Sequence, residues 1–173
     1  MDSQRFTNEH EVHTCSQHFH LVLIEPEIPP NTGNAGRLAV ATNSTLHLVG
    51  KLGFSIDDKQ VRRAGLDYWK HVDLKQHESF EAWLEWHKTH AKDAPFYLLS
   101  KKAKRSIYDI KLASPSGGAA FVFGKETLGL PQELLERYAD QTFTIPMFSD
   151  KIRSLNLSNA IAITLYEAIR QSL

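Results

Sequence analysis

Short apolar runs of strand length alternate with helical patterns along this chain, and that alternation restricts it to a small set of folds. The runs are Leu21 to Ile24, Leu46 to Gly50, Phe96 to Ser100, Ala119 to Gly124 and Thr142 to Pro146. Continuous apolar runs of this length suit strands buried on both faces of a parallel sheet. Between them, helical patterns run from about Asn34 to Thr42 and from about Ser79 to Ala91, where Phe80, Trp83, Leu84 and His87 share a face. A third helix starts at Pro131 and carries Leu134 and Leu135, and a last one runs from about Ser158 to Arg170. Strands alternating with helices imply an α/β fold, a parallel sheet flanked by helices.

At 173 residues the chain is long enough to bury a substantial core within one domain. No repeat or low-complexity linker divides it, so residues 19–173 are expected to form a single domain behind a disordered polar tail, residues 1–18. The formal net charge of zero excludes a protein coated in positive charge while leaving local phosphate-binding patches open. The tail lacks the apolar core of a signal peptide, and no apolar run approaches the length of a membrane span. A cytoplasmic protein without membrane contact is expected. The single cysteine, Cys15, can form no internal disulfide. His10, His13, His18 and His20 have no carboxylates or cysteines at ligand spacing, and they read as an incidental tail rather than a metal site.

Chemically unusual loops follow the strands. PEIPPNTGN comes after the first run, GKETLGLP after the fourth and MFSDKIRSLNLSN after the fifth. In open parallel sheets ligands bind beyond the carboxyl ends of the strands, so these loops mark a site. Ser154, Asn156, Ser158 and Asn159 cluster where the last helix begins. One or two of them suffice as caps for the orphan N–H groups of its first turn, which leaves others to face a ligand. The stretch Asn31 to Gly36 lacks GxGxxG spacing, and Gly50-Lys51 stands where a ribose-binding acid would be needed. P-loop and GxSxG patterns are absent as well.

Taken together, NTGNAGR (Asn31 to Arg37), FGKETLGLP (Phe123 to Pro131) and IPMFSDKIRSLNLSNA (Ile145 to Ala160) resemble the three motifs of the trefoil-knotted SPOUT RNA methyltransferases. DDKQVRRAGLDYW, Asp57 to Trp69, is similar to one subgroup of them, the small enzymes that methylate the ribose 2′-hydroxyl of the tRNA wobble nucleotide. The resemblance covers nearly all of Leu21 to Gln171. It implies a deep C-terminal trefoil knot with the Ser154 region threaded through an earlier loop, S-adenosylmethionine as methyl donor, an obligate homodimer and a tRNA partner. It further implies a wobble cytidine or carboxymethylaminomethyl-uridine of leucine tRNAs as target. Carried over by position, the cofactor contacts fall at Leu98, Gly124, Ile145, Ser154 and Leu155. Two alternatives remain: a sister enzyme acting on another tRNA position or ribosomal RNA, and a non-catalytic RNA-binding dimer of the same fold.

Within that resemblance Arg37 is the candidate catalytic residue, since a guanidinium holds a backbone phosphate bidentately. Gly33 and Gly129 suit positive φ or close approach to a ligand; Gly36 departs from the bulkier residue common in relatives. Glu126 suits capping or ordering of the cofactor loop. Asn31, Asn156 and Asn159 offer both donors and acceptors; Asn159 reads as structural, while Asn156 reads equally as a loop lock or a ligand contact. Tyr166 defaults to packing, although relatives place a tyrosine there near the nucleotide and the dimer partner. Candidate RNA contacts are Arg62 and Arg63 beside Lys59, the cluster Lys101, Lys102, Lys104 and Arg105, and Lys151 with Arg153. Trp69 and Trp86 remain candidates to stack a base, whereas Trp83 reads as core or interface.

Overall fold

Among the described residues, six parallel strands form one sheet in the order β3-β2-β1-β5-β4-β6. The structure, a computed structural model, describes residues 15–55, 68–114 and 117–173. The strands are β1 (Phe19–Ile24), β2 (Thr45–Val49), β3 (Asp73–His77), β4 (Phe96–Leu99), β5 (Ala119–Phe123) and β6 (Thr142–Phe143). Among the described residues the α-helices are α1 (Pro29–Ala41), α2 (Phe80–His90), α3 (Gln132–Arg137) and α4 (Leu157–Arg170).

Every residue of β1, β2 and β5 is buried, as central strands covered on both faces must be. The period-2 alternation sorts their side chains into two cores. Leu21, Leu23, Leu46, Leu48 and Phe121 pack with Ala35 and Ala39 of α1 and with Ile161, Leu165 and Ala168 of α4. Val22, Ile24, Val49 and Val122 face Phe80 and Trp83 of α2 and Leu134 and Leu135 of α3. Trp83 is therefore core, as its helical face implies.

The structure departs from the sequence reading in several places. The strand β3, DLKQH, contains no apolar run, because it is an edge strand whose residues are all exposed or half-buried. The helix α1 begins at Pro29 rather than near Asn34; Pro29 and Pro30 occupy its first positions, where a missing N–H costs nothing. Gly33 is thus an ordinary helical residue, and its carbonyl accepts a hydrogen bond from the Tyr68 hydroxyl. A Cβ on Gly36 would lie 2.5 Å from the Trp69 ring, so the close packing of Trp69 on α1 requires glycine there. Pro131 caps α3 instead of opening it. Residues Cys15 to His18 lie against the domain. Cys15 packs on the α1–α4 core, Gln17 Oε1 accepts from Ser172 Oγ at 2.7 Å, and His18 Nε2 is 2.8 Å from Thr45 Oγ1.

His20 belongs to β1 and not to a tail. Its Nδ1 is 3.1 Å from His47 Nε2, and His47 Nδ1 is 2.9 Å from His77 Nε2, so three neighbouring strands contribute one imidazole each to a hydrogen-bonded row. The Trp86 ring covers all three, with centroids 4.6 to 5.9 Å away. Each bond needs one N–H and one bare nitrogen, so the row holds together as neutral rings with a common donor direction. Burial is the main cause that pushes the His47 pKa down to about 2 and that of His20 down to about 3. The unfolded chain takes up these protons below about pH 6.5, whereas the folded chain resists to about pH 3. Stability is therefore lost as pH falls through that window, by about 1.4 kcal/mol per pH unit for each such histidine. Urea midpoints should fall between pH 7 and pH 5, and His47→Gln should start lower at pH 7 yet fall less steeply. An unchanged slope would assign the acid limb to other groups.

Candidate active site at the carboxyl edge of the sheet

A cleft of about 550 Å³ opens beyond the carboxyl ends of β4, β5 and β6, a volume in the range of small-ligand sites. Its wall is built from Leu99 to Lys102 after β4, Phe123 to Leu130 after β5, and Thr144, Ile145, Met147 and Ser154 to Leu157 after β6. Ile28 and Asn31 at the start of α1 complete it, with Leu135 and Ala160 behind.

One carboxylate organises these segments. Glu126 Oε2 accepts from the Glu27 N–H at 2.9 Å, and its Oε1 accepts from the Ile28 N–H at 3.1 Å and from Asn31 Nδ2 at 3.0 Å. Ile28, the N-cap of α1, makes no side-chain cap of its own, so the orphan donors there are met by a residue 98 positions downstream. A negative charge at this end also suits the helix dipole. Asn31, almost fully buried, passes the link on: its Oδ1 accepts from Asn156 Nδ2 at 3.0 Å. Asn156 in turn caps α4 by accepting from the Ser158 N–H at 2.9 Å. Thr127 donates back to Glu27 through its N–H and hydroxyl, which holds the Glu27 carboxyl below its ordinary range.

Backbone forms much of the wall. A Cβ on Gly124 would collide with the backbone of Gly129 and Leu130, where the loop doubles back. Gly129 takes φ +73, and a Cβ there would meet nothing within 4 Å. Side chains are thus kept from a surface where main-chain N–H and C=O groups can meet a ligand.

Of the residues singled out from sequence, Gly124, Ile145, Ser154, Leu155, Asn31, Glu126, Asn156, Lys101 and Lys102 line the cleft. Leu98 does not. It is fully buried in the core beneath α2 and α3, because alternation along β4 turns its side chain inward, and Leu99 reaches the wall instead. Asn159 and Tyr166 are exposed on α4 outside the cleft wall. Arg37 is also outside it, exposed on α1 with its guanidinium 4.8 Å over the Tyr68 ring. Lys102 Nζ donates to Gln132 Oε1 at 3.1 Å, and Lys151 and Arg153 are exposed on the loop after β6. Arg62, Arg63 and Lys59 lie outside the described residues. Ser100, Thr127 and Met147 were not singled out; their position just past a strand end was the only signal for them.

Removing three charge-assisted hydrogen bonds from a partly exposed carboxylate should cost about 2–4 kcal/mol. Glu126→Ala should lose that much in urea denaturation, and Glu126→Gln, which keeps one acceptor, about half.

Comparison with known proteins identifies the family of the chain. Residues 18–166 match the SpoU rRNA Methylase family. A tRNA (cytidine(34)-2'-O)-methyltransferase of Acidovorax sp. (strain JS42) is 46% identical over 155 residues, covering 89% of this chain and 92% of the relative. A Bacillus anthracis protein of known crystal structure is 46% identical with a TM-score of 0.80, covering 89% and 94% of the two chains. A structure described as giving insights into the 2-OH methylation of C/U34 on tRNA is 43% identical, TM-score 0.80, covering 90% and 96%. With so much of its length matched by one family and by relatives this similar, the chain belongs to the SpoU methylases.

Proposed function

We propose that this chain is an S-adenosylmethionine-dependent tRNA methyltransferase acting on the ribose 2′-hydroxyl of nucleotide 34, the wobble position, in leucine tRNAs. The observation that carries the reading is the cleft, whose three loops are cross-tied through Glu126, Asn31 and Asn156. The names of relatives at 43–47% identity supply the reaction and the nucleotide.

The cleft fits the cofactor. Glycine-lined backbone offers donors and acceptors for a nucleoside and an amino-acid group, Leu130, Ile145 and Leu155 offer apolar contact for a flat base, and 550 Å³ accommodates the whole. When bound, S-adenosylmethionine supplies an electrophilic methyl group on a sulfonium. Among the described residues the cleft wall holds no histidine, cysteine or tyrosine, and the Glu126 carboxylate already accepts from three donors, which weakens it as a base. The chain's work is therefore alignment of the hydroxyl more than proton abstraction by a strong base. Arg37 holds the phosphate beside the target ribose, its plane steadied by Tyr68. Because Arg37 stands outside the cleft of its own chain, the reading includes a homodimer in which a second copy's Arg37 faces that cleft.

The reading also includes the knot. The segment after β6 is bonded to residues 105–107 through Thr144 and to α1 through Asn156, contacts that a threaded segment would make. No helix among the described residues is long and apolar enough to cross a membrane, which is consistent with work on tRNA in the cytoplasm.

Purified protein incubated with labelled S-adenosylmethionine and tRNA lacking wobble ribose methylation should yield 2′-O-methylcytidine or 2′-O-methyluridine at position 34. Label at another position would overturn the assigned site. Arg37→Ala should lower turnover by about 100-fold, as removal of a charge-stabilising donor does, with cofactor affinity nearly unchanged. Refolded together in equal amounts with Ser154→Phe, whose ring fills the cleft, it should regain about a quarter of wild-type activity by random pairing. No regain would place Arg37 in its own chain's site.

A further inference from the structure

Phe148 is 99% exposed, more than any other large apolar side chain among the described residues. It belongs to the loop between β6 and α4, and both ends of that loop form cleft wall. Its neighbour Met147 is itself in the wall, so the Phe148 Cα stands about 3.8 Å from that of a wall residue. The loop continues through Ser149, Asp150, Lys151, Ile152 and Arg153, all exposed. Lys151 Nζ lies 3.6 Å from Oδ1 of its neighbour Asp150, with both side chains about nine-tenths exposed. Lys101 and Lys102 add cations to the cleft wall.

A bare ring among flexible cations at the mouth of a polar cleft has the make-up of a platform for unstacked bases, where rings stack the base and cations track the backbone. Aspartate and lysine are depleted in protein–protein interfaces, so the flanking Asp150 and Lys151 argue against a second copy as the occupant.

We propose that Phe148 stacks on the base of the nucleotide whose ribose is methylated, with Lys151 and Arg153 holding the flanking phosphates. The assignment rests on the methyl-transfer reading above. Stacking on a π-face does not distinguish bases by hydrogen bonds, so it admits cytidine and uridine alike.

Wild type, Phe148→Ala and Phe148→Trp are compared on an anticodon stem-loop RNA, intact or with an abasic ribose at position 34 that keeps its 2′-hydroxyl. On intact RNA, Phe148→Ala should lower kcat/KM about tenfold, while Phe148→Trp should stay within about threefold. On abasic RNA, wild type should itself be slowed and Phe148→Ala should add no further loss. Cofactor affinity and sedimentation should not change. Equal losses on both RNAs, or no loss on either, would overturn the assignment while leaving the activity standing. Weakened self-association of Phe148→Ala would overturn it too, by placing the ring against a second copy. Failure of wild type to methylate intact RNA would overturn the underlying reading and this assignment with it.

Discussion

The Glu126 carboxylate carries the geometry of the whole carboxyl edge. Two of its donors are the backbone N–H groups of Glu27 and of Ile28, the N-cap of α1, and the third is the side chain of Asn31. Closing a contact across about a hundred residues would be entropically costly if those residues first met there. They do not, because β1 and β5 are neighbours in register, with Leu23 opposite Phe123. Pairing then continues past the strand ends through polar side chains: Lys125 with Glu25, Thr127 with Glu27, Glu126 with Asn31. The sheet supplies the proximity, and the carboxylate turns it into a defined loop shape.

Asn156 extends that logic. It caps α4, reaches Asn31 and stands in the cleft wall. A single amide with one donor end and one acceptor end thus fixes the start of α4 relative to the first turn of α1, from the other half of the chain. Anything that settles against Ser154 or Leu155 therefore presses on a segment tied to α1, the helix that carries Arg37.

The sequence was most legible where burial was symmetrical. Apolar runs marked the five strands covered on both faces or closing the far edge, while β3 escaped because half-exposure leaves Asp73, Lys75 and Gln76 polar. Proline misled at Pro29 and Pro30, since the same residue opens helices and loops alike. At the site, loop positions were readable as a group because chemistry collects past strand ends, whereas the face to which a side chain points depends on strand phase, which sends the Leu98 side chain into the core and Leu99 to the cleft. His20 looked like part of a tail because its partners, His47 and His77, come from strands 27 and more residues away. Gly36 had no meaning until Trp69 was seen against it.

The polar character that hid β3 has an outcome for how copies of this chain can meet. Strand edges expose rows of unpaired N–H and C=O groups that invite another chain to add a strand. Here one edge is β3, studded with Asp73 and Lys75, and the other is β6, only two residues long. Charge blunts one edge and shortness the other, so neither offers a template for indefinite growth of the sheet. Strand addition at the sheet edges is thus no route by which copies of this chain would join.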